Sequence, residues 1–294
     1  MKGRILSMVL IAAAAFAGAT TANAQNRERD RGPRQFAENA NIVLRADRAY
    51  IFYRTPNRST FRFLRESSPE EVAAHAARRA EAFARARERG ERRAASWDRD
   101  RALCPPRTAD RRCQEPRPTI PTEETFEFPS IYEGNLVGND HRPRLIHQEA
   151  WSGWLIAVDP GTYALYGEVT LTANGTGGIC YCMGSVRFEA RAGQITDMGE
   201  IVAAPSDQQG VVELQNFRLG HFVTVAPWNA SMRSPAQFAN LQVVPAELRA
   251  AGKVANHFGI PITRLAPIEG VLGYERDRVI DLRTGATVEG SNLR

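Results

Sequence analysis

Polar and apolar positions along this chain change period more than once. In "NIVLRADRAYIFYRTPNRSTFRFLRESS", Ile51 and Tyr53 oppose Tyr50, Phe52 and Arg54, and Phe61 and Phe63 flank Arg62. Ile42 and Leu44 alternate in the same way with Val43 and Arg45. A period of two sends successive side chains to opposite faces of a strand, and the Pro and Asn of "RTPNRS" mark a turn between two strands. At Ser68 the period becomes helical. Ser68 as N-cap, Pro69 at the first helical position and Glu71 three residues after the cap form a capping box. Val72, Ala76, Ala80 and Phe83 follow at helical spacing, and Glu81–Arg85 and Glu88–Arg92 are i,i+4 pairs in the favourable order. Gly90 is expected to weaken this helix, which should fade near Trp97. Its apolar stripe is mostly alanine, so it offers only a narrow seam for packing.

Five prolines in "CPPRTADRRCQEPRPTIP" (residues 104–121) exclude regular structure and mark a linker. Beyond it the period of two returns. Trp154, Ile156 and Val158 alternate up to Asp159-Pro160-Gly161-Thr162, where Pro-Gly suits a type II turn, and Tyr163, Leu165, Gly167 and Val169 alternate after it. "CYCMGSVRFEARAGQITDMGEI" reads as a strand from Cys180 to Glu189, a turn at Ala192-Gly193 and a short strand ending at Gly199. From Trp228 onward Pro, Gly and Asn interrupt the chain often. A short helix is expected at Ala246–Ala251, stopped by Gly252, and a closing strand pair turns at Thr284-Gly285. Short strands with frequent turns predict a mainly-β chain. The expected architecture is an antiparallel β-sandwich with one long α-helical insertion and a loop-rich C-terminal segment. Its first strands fall in 42–66, the arginine-rich helix and proline-rich linker in 67–121, and the sandwich body with its extension in 122–294.

The start of the chain changes the expected compartment. Lys2 and Arg4 precede an apolar run from Ile5 to Ala19, and Ala22-Asn23-Ala24 closes it. This is the form of a secretory signal peptide, residues 1–24, cut after Ala24. The run is shorter than the roughly 20 residues that span a bilayer, and no later segment is apolar enough to cross one. Residues 25–41 lack apolar periodicity and read as a disordered leader. A periplasmic or secreted location follows, where cysteines can be disulfides. Charge is uneven: residues 25–118 hold 23 Arg against 14 acidic groups, +9, while 119–294 hold 13 basic against 19 acidic, −6.

Four cysteines are the sharpest chemical candidates. Cys104 and Cys113 have eight residues between them in the solvent-facing, proline-rich stretch. A bridge there would contribute about 2.7 kcal/mol in the chain-entropy model. Cys180 and Cys182 would share one strand face with Gly184, Val186 and Phe188. Residues i and i+2 of a regular strand lie roughly 6.6 Å apart. A disulfide wants β-carbons about 3.5–4.5 Å apart, so this pair cannot bridge unless the strand buckles. Buried thiols or a structural disulfide is the first reading. The alternative is a thiol-based metal or redox protein, with Met183 suiting copper and histidines suiting zinc. None of His75, His141, His147, His221 and His257 stands at ligand spacing to the pair, and Met183 points to the other face of a regular strand. His141 and His147, in "HRPRLIH", read as surface groups.

No nucleophile elbow, H-E-x-x-H or phosphate loop is present, and "NGTGG" precedes a strand rather than a helix. No cofactor is implied. Arg78, Arg79, Arg85, Arg87, Arg89, Arg92 and Arg93 give the helix a basic face. Outside the cytoplasm such a face fits anionic headgroups, acidic glycans or another envelope protein rather than nucleic acid. The alternative is a solvated helix balanced by its own glutamates.

An aromatic opening strand, "RAYIFYR", with a later Pro-Gly-x-Tyr turn, "DPGTYALYG", is similar to small exported proteobacterial β-sandwich proteins of unknown function. "CYCMGSVRFEARAGQITDMG", "LRAAGKVANHFGIPITRLAPIEGVLGYERDRVID" and the "SPEE" helix start more closely resemble an uncharacterised family of secreted proteobacterial proteins, over most of 42–283. That resemblance implies an envelope address and a sandwich core, and no activity. The expected function is a non-enzymatic binding or structural role in the envelope.

Overall fold

The computed structural model describes residues 33–290 except 57–58, 106–110, 140–142, 173–174, 205–211, 215–216 and 220–222. The signal peptide and residues 25–32 of the leader lie outside the described residues. The chain divides into two compact units, 1–66 with 136–294, and 67–135.

The first unit is mainly β. In chain order its strands are β1 (Arg34–Gln35), β2 (Ala49–Pro56), β3 (Phe61–Arg65), β4 (Leu136–Gly138), β5 (Ile146–His147), β6 (Trp151–Val158), β7 (Gly161–Thr172), β8 (Gly175–Cys180), β9 (Ser185–Ala190) and β10 (Ile195–Ala203). Then come β11 (Val212–Leu214), β12 (Phe217–Leu219), β13 (Val223–Ala226), β14 (Val243–Pro245), β15 (Arg249–Ala251), β16 (Leu272–Glu275), β17 (Arg278–Asp281) and β18 (Ala286–Val288). One sheet has the order β1-β6-β2-β10-β13, with β5 on β6 and β14 on β10. A second has the order β15-β9-β7-β3-β4, with β8 on β7. Pairing is antiparallel except where β10 runs parallel to β2 and to β14.

Two expected turns are corners between these sheets. β2 and β3 do not pair with each other: β2 pairs β6 from Ala49↔Val158 to Pro56↔Trp151, and β3 pairs β7 in the other sheet. Asp159-Pro160 likewise carries the chain from β6 into β7, and strand structure resumes already at Gly161. Crossing in this way lets both strands of each expected hairpin turn their apolar faces inward. Ile51, Tyr53, Trp154 and Ile156 of one sheet meet Phe63, Tyr163, Leu165 and Phe188 of the other in a single buried cluster. Tyr53 and Phe63 meet edge-on at 5.0 Å between ring centroids, as do Phe63 and Phe188 at 5.9 Å. Burying each such side chain contributes about 1.5–3 kcal/mol.

The opposite face of the first sheet is also apolar. Tyr50, Phe52, Leu155 and Ile195 are covered there by Phe36, Ile42, Leu145 and Phe238. Residues 33–41 are therefore not a disordered leader: β1 pairs β6 and Phe36 is buried. One anchoring aromatic residue produces no period, so the pattern was silent. Ile42–Arg45 is not a strand, although Ile42 is buried. Residues 249–251 form β15 on the edge of β9 instead of a helix. A six-residue helix is too short to sustain itself, and the open edge supplies hydrogen bonds. The tail is a three-stranded meander, β16-β17-β18, rather than a strand pair.

Between β2 and β10 a buried ion pair joins Arg54 to Asp197 at 3.1 Å, the side chains being 3% and 1% exposed. Asp197 also accepts from the Gly199 backbone N–H at 2.9 Å, where the β10 register shifts, and Arg54 lies 4.7 Å over the Phe52 ring.

Candidate functional site

The second unit begins with the capping box: the Ser68 hydroxyl accepts from Glu71 N–H at 3.2 Å, and Ser68 N–H donates to the Glu71 carboxylate at 2.9 Å. From there α1 runs over Pro69–Ala102, past Gly90 and past Trp97. The helix continues through Gly90 without a break. A β-carbon at 90 would stand 2.9 Å from Pro121 Cδ and 3.3 Å from Ile120 Cα, so glycine marks where the returning chain crosses closest.

That returning chain is the expected linker, and it is packed rather than loose. A short helix, α2 (Arg111–Gln114), lies within it, and Cys113 is bonded to Cys104 with α-carbons 5.9 Å apart. Trp97 Nε1 donates to the Glu115 carbonyl at 3.0 Å, Arg117 pairs with Asp98 at 2.8 Å, and Arg79 pairs with Glu123 at 2.6 Å. Phe83 meets Phe126 at 5.4 Å, and His75 donates through Nε2 to the Pro129 carbonyl at 2.9 Å. The leg ends in α3 (Ile131–Asn135), whose Asn135 amide donates to the Ser67 hydroxyl at 2.7 Å. Residues 122–135 thus belong to the helical unit, whose far boundary is Asn135 and not Pro121. The unit is a hairpin of one long helix and a largely non-helical return leg, joined at Ser67/Asn135 and bridged by Cys104–Cys113 at its distal end.

One face of α1 carries the arginines. At 100° per residue, Arg78, Arg85, Arg89, Arg92 and Arg93 fall within a sector of about 100° along about 22 Å of helix. All five are exposed, as is Arg87 on the opposite side, and Arg79 turns to the return leg. Arg85 pairs with Glu81 at 2.7 Å, Arg87 with Glu91 at 2.9 Å, and Arg92 with Glu88. Exposed pairs of this kind hold their partners weakly. Among the described residues, Arg78, Arg89 and Arg93 have no carboxylate partner. Charge is also graded along the hairpin: residues 78–117 hold 13 Arg against 7 acidic residues, while 67–77 and 118–135 hold no Arg against 6.

The cysteine pair in the sandwich differs from a regular strand. β8 ends at Cys180, Tyr181–Gly184 form a turn, and β9 starts at Ser185. This buckle joins the sulfurs of Cys180 and Cys182, with α-carbons 5.1 Å apart and exposures of 0% and 4%. Gly184 makes the turn fit, since a β-carbon there would stand 2.7 Å from the Tyr274 ring. A strap, residues 254–263, closes over the turn: Cys180 N–H donates to the Pro261 carbonyl at 2.8 Å, and Thr263 N–H to the Cys180 carbonyl at 2.7 Å. Val254 N–H donates to the Cys182 carbonyl at 3.0 Å. Tyr181 is buried too, and burial, then the nearby Glu168, pushes its hydroxyl well above the ordinary range. Burial likewise raises the Glu168 carboxyl, against a hydrogen bond with Ser59.

While bonded to each other, the two sulfurs offer no thiolate to a metal ion. Met183 is half-buried in the turn, and among the described residues no group of three or more His, Cys, Asp or Glu side chains is placed to hold a metal ion. His141 and His221 lie outside the described residues. His147 is exposed, its Nδ1 accepting from the Arg144 guanidinium at 2.9 Å. A polar cavity of about 360 Å³ near β9 and β15 is lined by Arg187, Arg191 and Arg249, each of which pairs with a carboxylate, Glu66, Glu189 and Asp281 respectively.

The fold and site define a two-sheet β-sandwich that carries a disulfide-bridged, arginine-faced helical hairpin. No family model matches the chain, and no curated protein or solved structure matches it either. Among the described residues no helix is long and apolar enough to cross a membrane.

Proposed function

We propose that this is an exported, non-enzymatic envelope protein that binds a phosphate-bearing polyanion through the arginine face of α1. The observation that carries the reading is the stripe itself: Arg78, Arg89 and Arg93 without carboxylate partners, interleaved with Arg85 and Arg92. Guanidinium groups match phosphate oxygens in bidentate fashion, and an unpaired exposed guanidinium needs no partner displaced before it binds. The buried, strapped Cys180–Cys182 bond supports a bracing role in the sandwich rather than thiol chemistry. The test is binding to immobilised polyphosphate. Wild type should be retained, and the Arg78→Glu/Arg89→Glu/Arg93→Glu variant should lose at least ten-fold in affinity; equal retention of the two would reject the reading.

A further inference from the structure

The distal end of the helical hairpin combines features that the arginine stripe alone does not explain. Leu103, the C-cap residue of α1, is 82% exposed, the most exposed large apolar side chain among the described residues. It lines a cleft of about 610 Å³ together with half-buried Trp97 and exposed Pro105. Arg93 and Arg101 line the same cleft, and the Arg101 guanidinium stands 6.0 Å over the Trp97 ring. The Cys104–Cys113 bond follows immediately after Leu103, and Cys104 N–H is held by the Arg101 carbonyl at 3.1 Å. Together these hold the backbone that follows Leu103.

An exposed apolar side chain, an indole and a rim where Arg93 and Arg101 stand beside Asp100 and Glu115 match the layered apolar and charged chemistry of a bilayer surface. Indole rings sit at the level of the headgroups, leucine enters the acyl boundary, and arginine pairs with lipid phosphate. The charge grading points the same way. Among the described residues, the distal part (78–105 and 111–117) holds 12 Arg against 6 acidic residues, while 67–77 and 118–135 hold six acidic residues and no Arg, so an anionic surface favours the distal part. An acidic glycan would satisfy the arginines and leave Leu103 without a role.

We infer that the distal end of the hairpin is a peripheral membrane anchor for anionic phospholipid, with Leu103 and Trp97 entering the interface while Arg89, Arg93 and Arg101 engage headgroup phosphates. This rests on the polyanion reading above and commits it to lipid. The experiment uses the full exported chain with vesicles of phosphatidylcholine, with and without phosphatidylglycerol. Co-sedimentation measures binding. Quenching by lipids brominated on the acyl chain reports insertion, with Trp97→Phe identifying the part due to Trp97 among the four tryptophans.

Wild type should bind only the phosphatidylglycerol vesicles, with Trp97 quenched. Leu103→Asp should lose at least five-fold in vesicle affinity while keeping its retention on polyphosphate, and Arg89→Glu/Arg93→Glu should lose both. Leu103→Ser, which adds no charge, should fall between wild type and Leu103→Asp. Leu103→Asp binding vesicles as wild type does, or Trp97 unquenched, would overturn the anchor and leave the polyanion reading standing. Wild type retained by neither vesicles nor polyphosphate would overturn both.

Discussion

Arg54 and Asp197 form the most deeply buried ion pair described, with side chains 3% and 1% exposed. Their ion pair is almost wholly excluded from water, and burial pushes the Asp197 carboxyl up while Arg54 and the Gly199 N–H pull it back. Asp197→Ala would leave a buried guanidinium against Phe52, and breaking a buried pair from one side costs about 3–5 kcal/mol. Chemical denaturation should show that loss, and Arg54→Met/Asp197→Leu should recover most of it. The Asp197 carboxyl is raised on balance, and Glu168 is raised by burial as well. Its folded carboxyl holds a proton more tightly than the unfolded one does, so its contribution to stability falls as pH climbs from 4.5 through the raised value. Melting temperature between pH 4.5 and pH 7 should decline less steeply for Glu168→Gln than for wild type. An unchanged slope would remove Glu168 from that account. Arg54 was visible in the sequence as a polar residue on an aromatic strand. Its burial was not, because Asp197 lies on a distant strand.

At the scale of elements, local chemistry was legible and long-range pairing was not. The capping box at Ser68 was readable because its donors and acceptors lie within four residues. The expected fade of α1 near Trp97 falls short of its end at Ala102, because a glycine's cost in an isolated helix says nothing of a chain crossing over it. Gly90→Ala therefore separates the two effects. Propensity alone favours alanine by about 1 kcal/mol. The contact with Pro121 Cδ predicts the reverse, a hairpin less stable than wild type by hydrogen exchange along α1 and 115–130. Greater protection in the variant would contradict that packing. The Cys180–Cys182 turn was hidden for a related reason: alternation continues across it on paper, and only Gly184 and the distant strap show that the strand breaks.

Two compact units, with both buried apolar clusters in the sandwich, explain how one chain carries a packed sandwich and a largely solvent-exposed helix. β3 pairs β4 through Leu64↔Leu136, so the strands that flank the helical hairpin are already neighbours in the sandwich. A chain in which residues 67–135 are replaced by a short Gly-Ser link should keep a cooperative melt, since both β3 and β4 remain. Loss of cooperativity would mean that the sandwich depends on the hairpin. The same chain should lose polyanion binding, because the arginine stripe leaves with the excised residues. Sandwich class was readable from strand alternation, whereas the strand order depends on contacts far apart in sequence. The basic face of α1 was likewise readable, but not that Arg79 leaves it to pair with Glu123 on the return leg. The most direct measurement of the central claim is the salt dependence of binding to polyphosphate, from low to high ionic strength. Each arginine that releases a counterion adds about one to the slope of log affinity against log salt. Wild type should show a steep fall, and Arg78→Glu/Arg89→Glu/Arg93→Glu a slope shallower by about three on that scale. Identical slopes for the two proteins would contradict the arginine face as the binding surface.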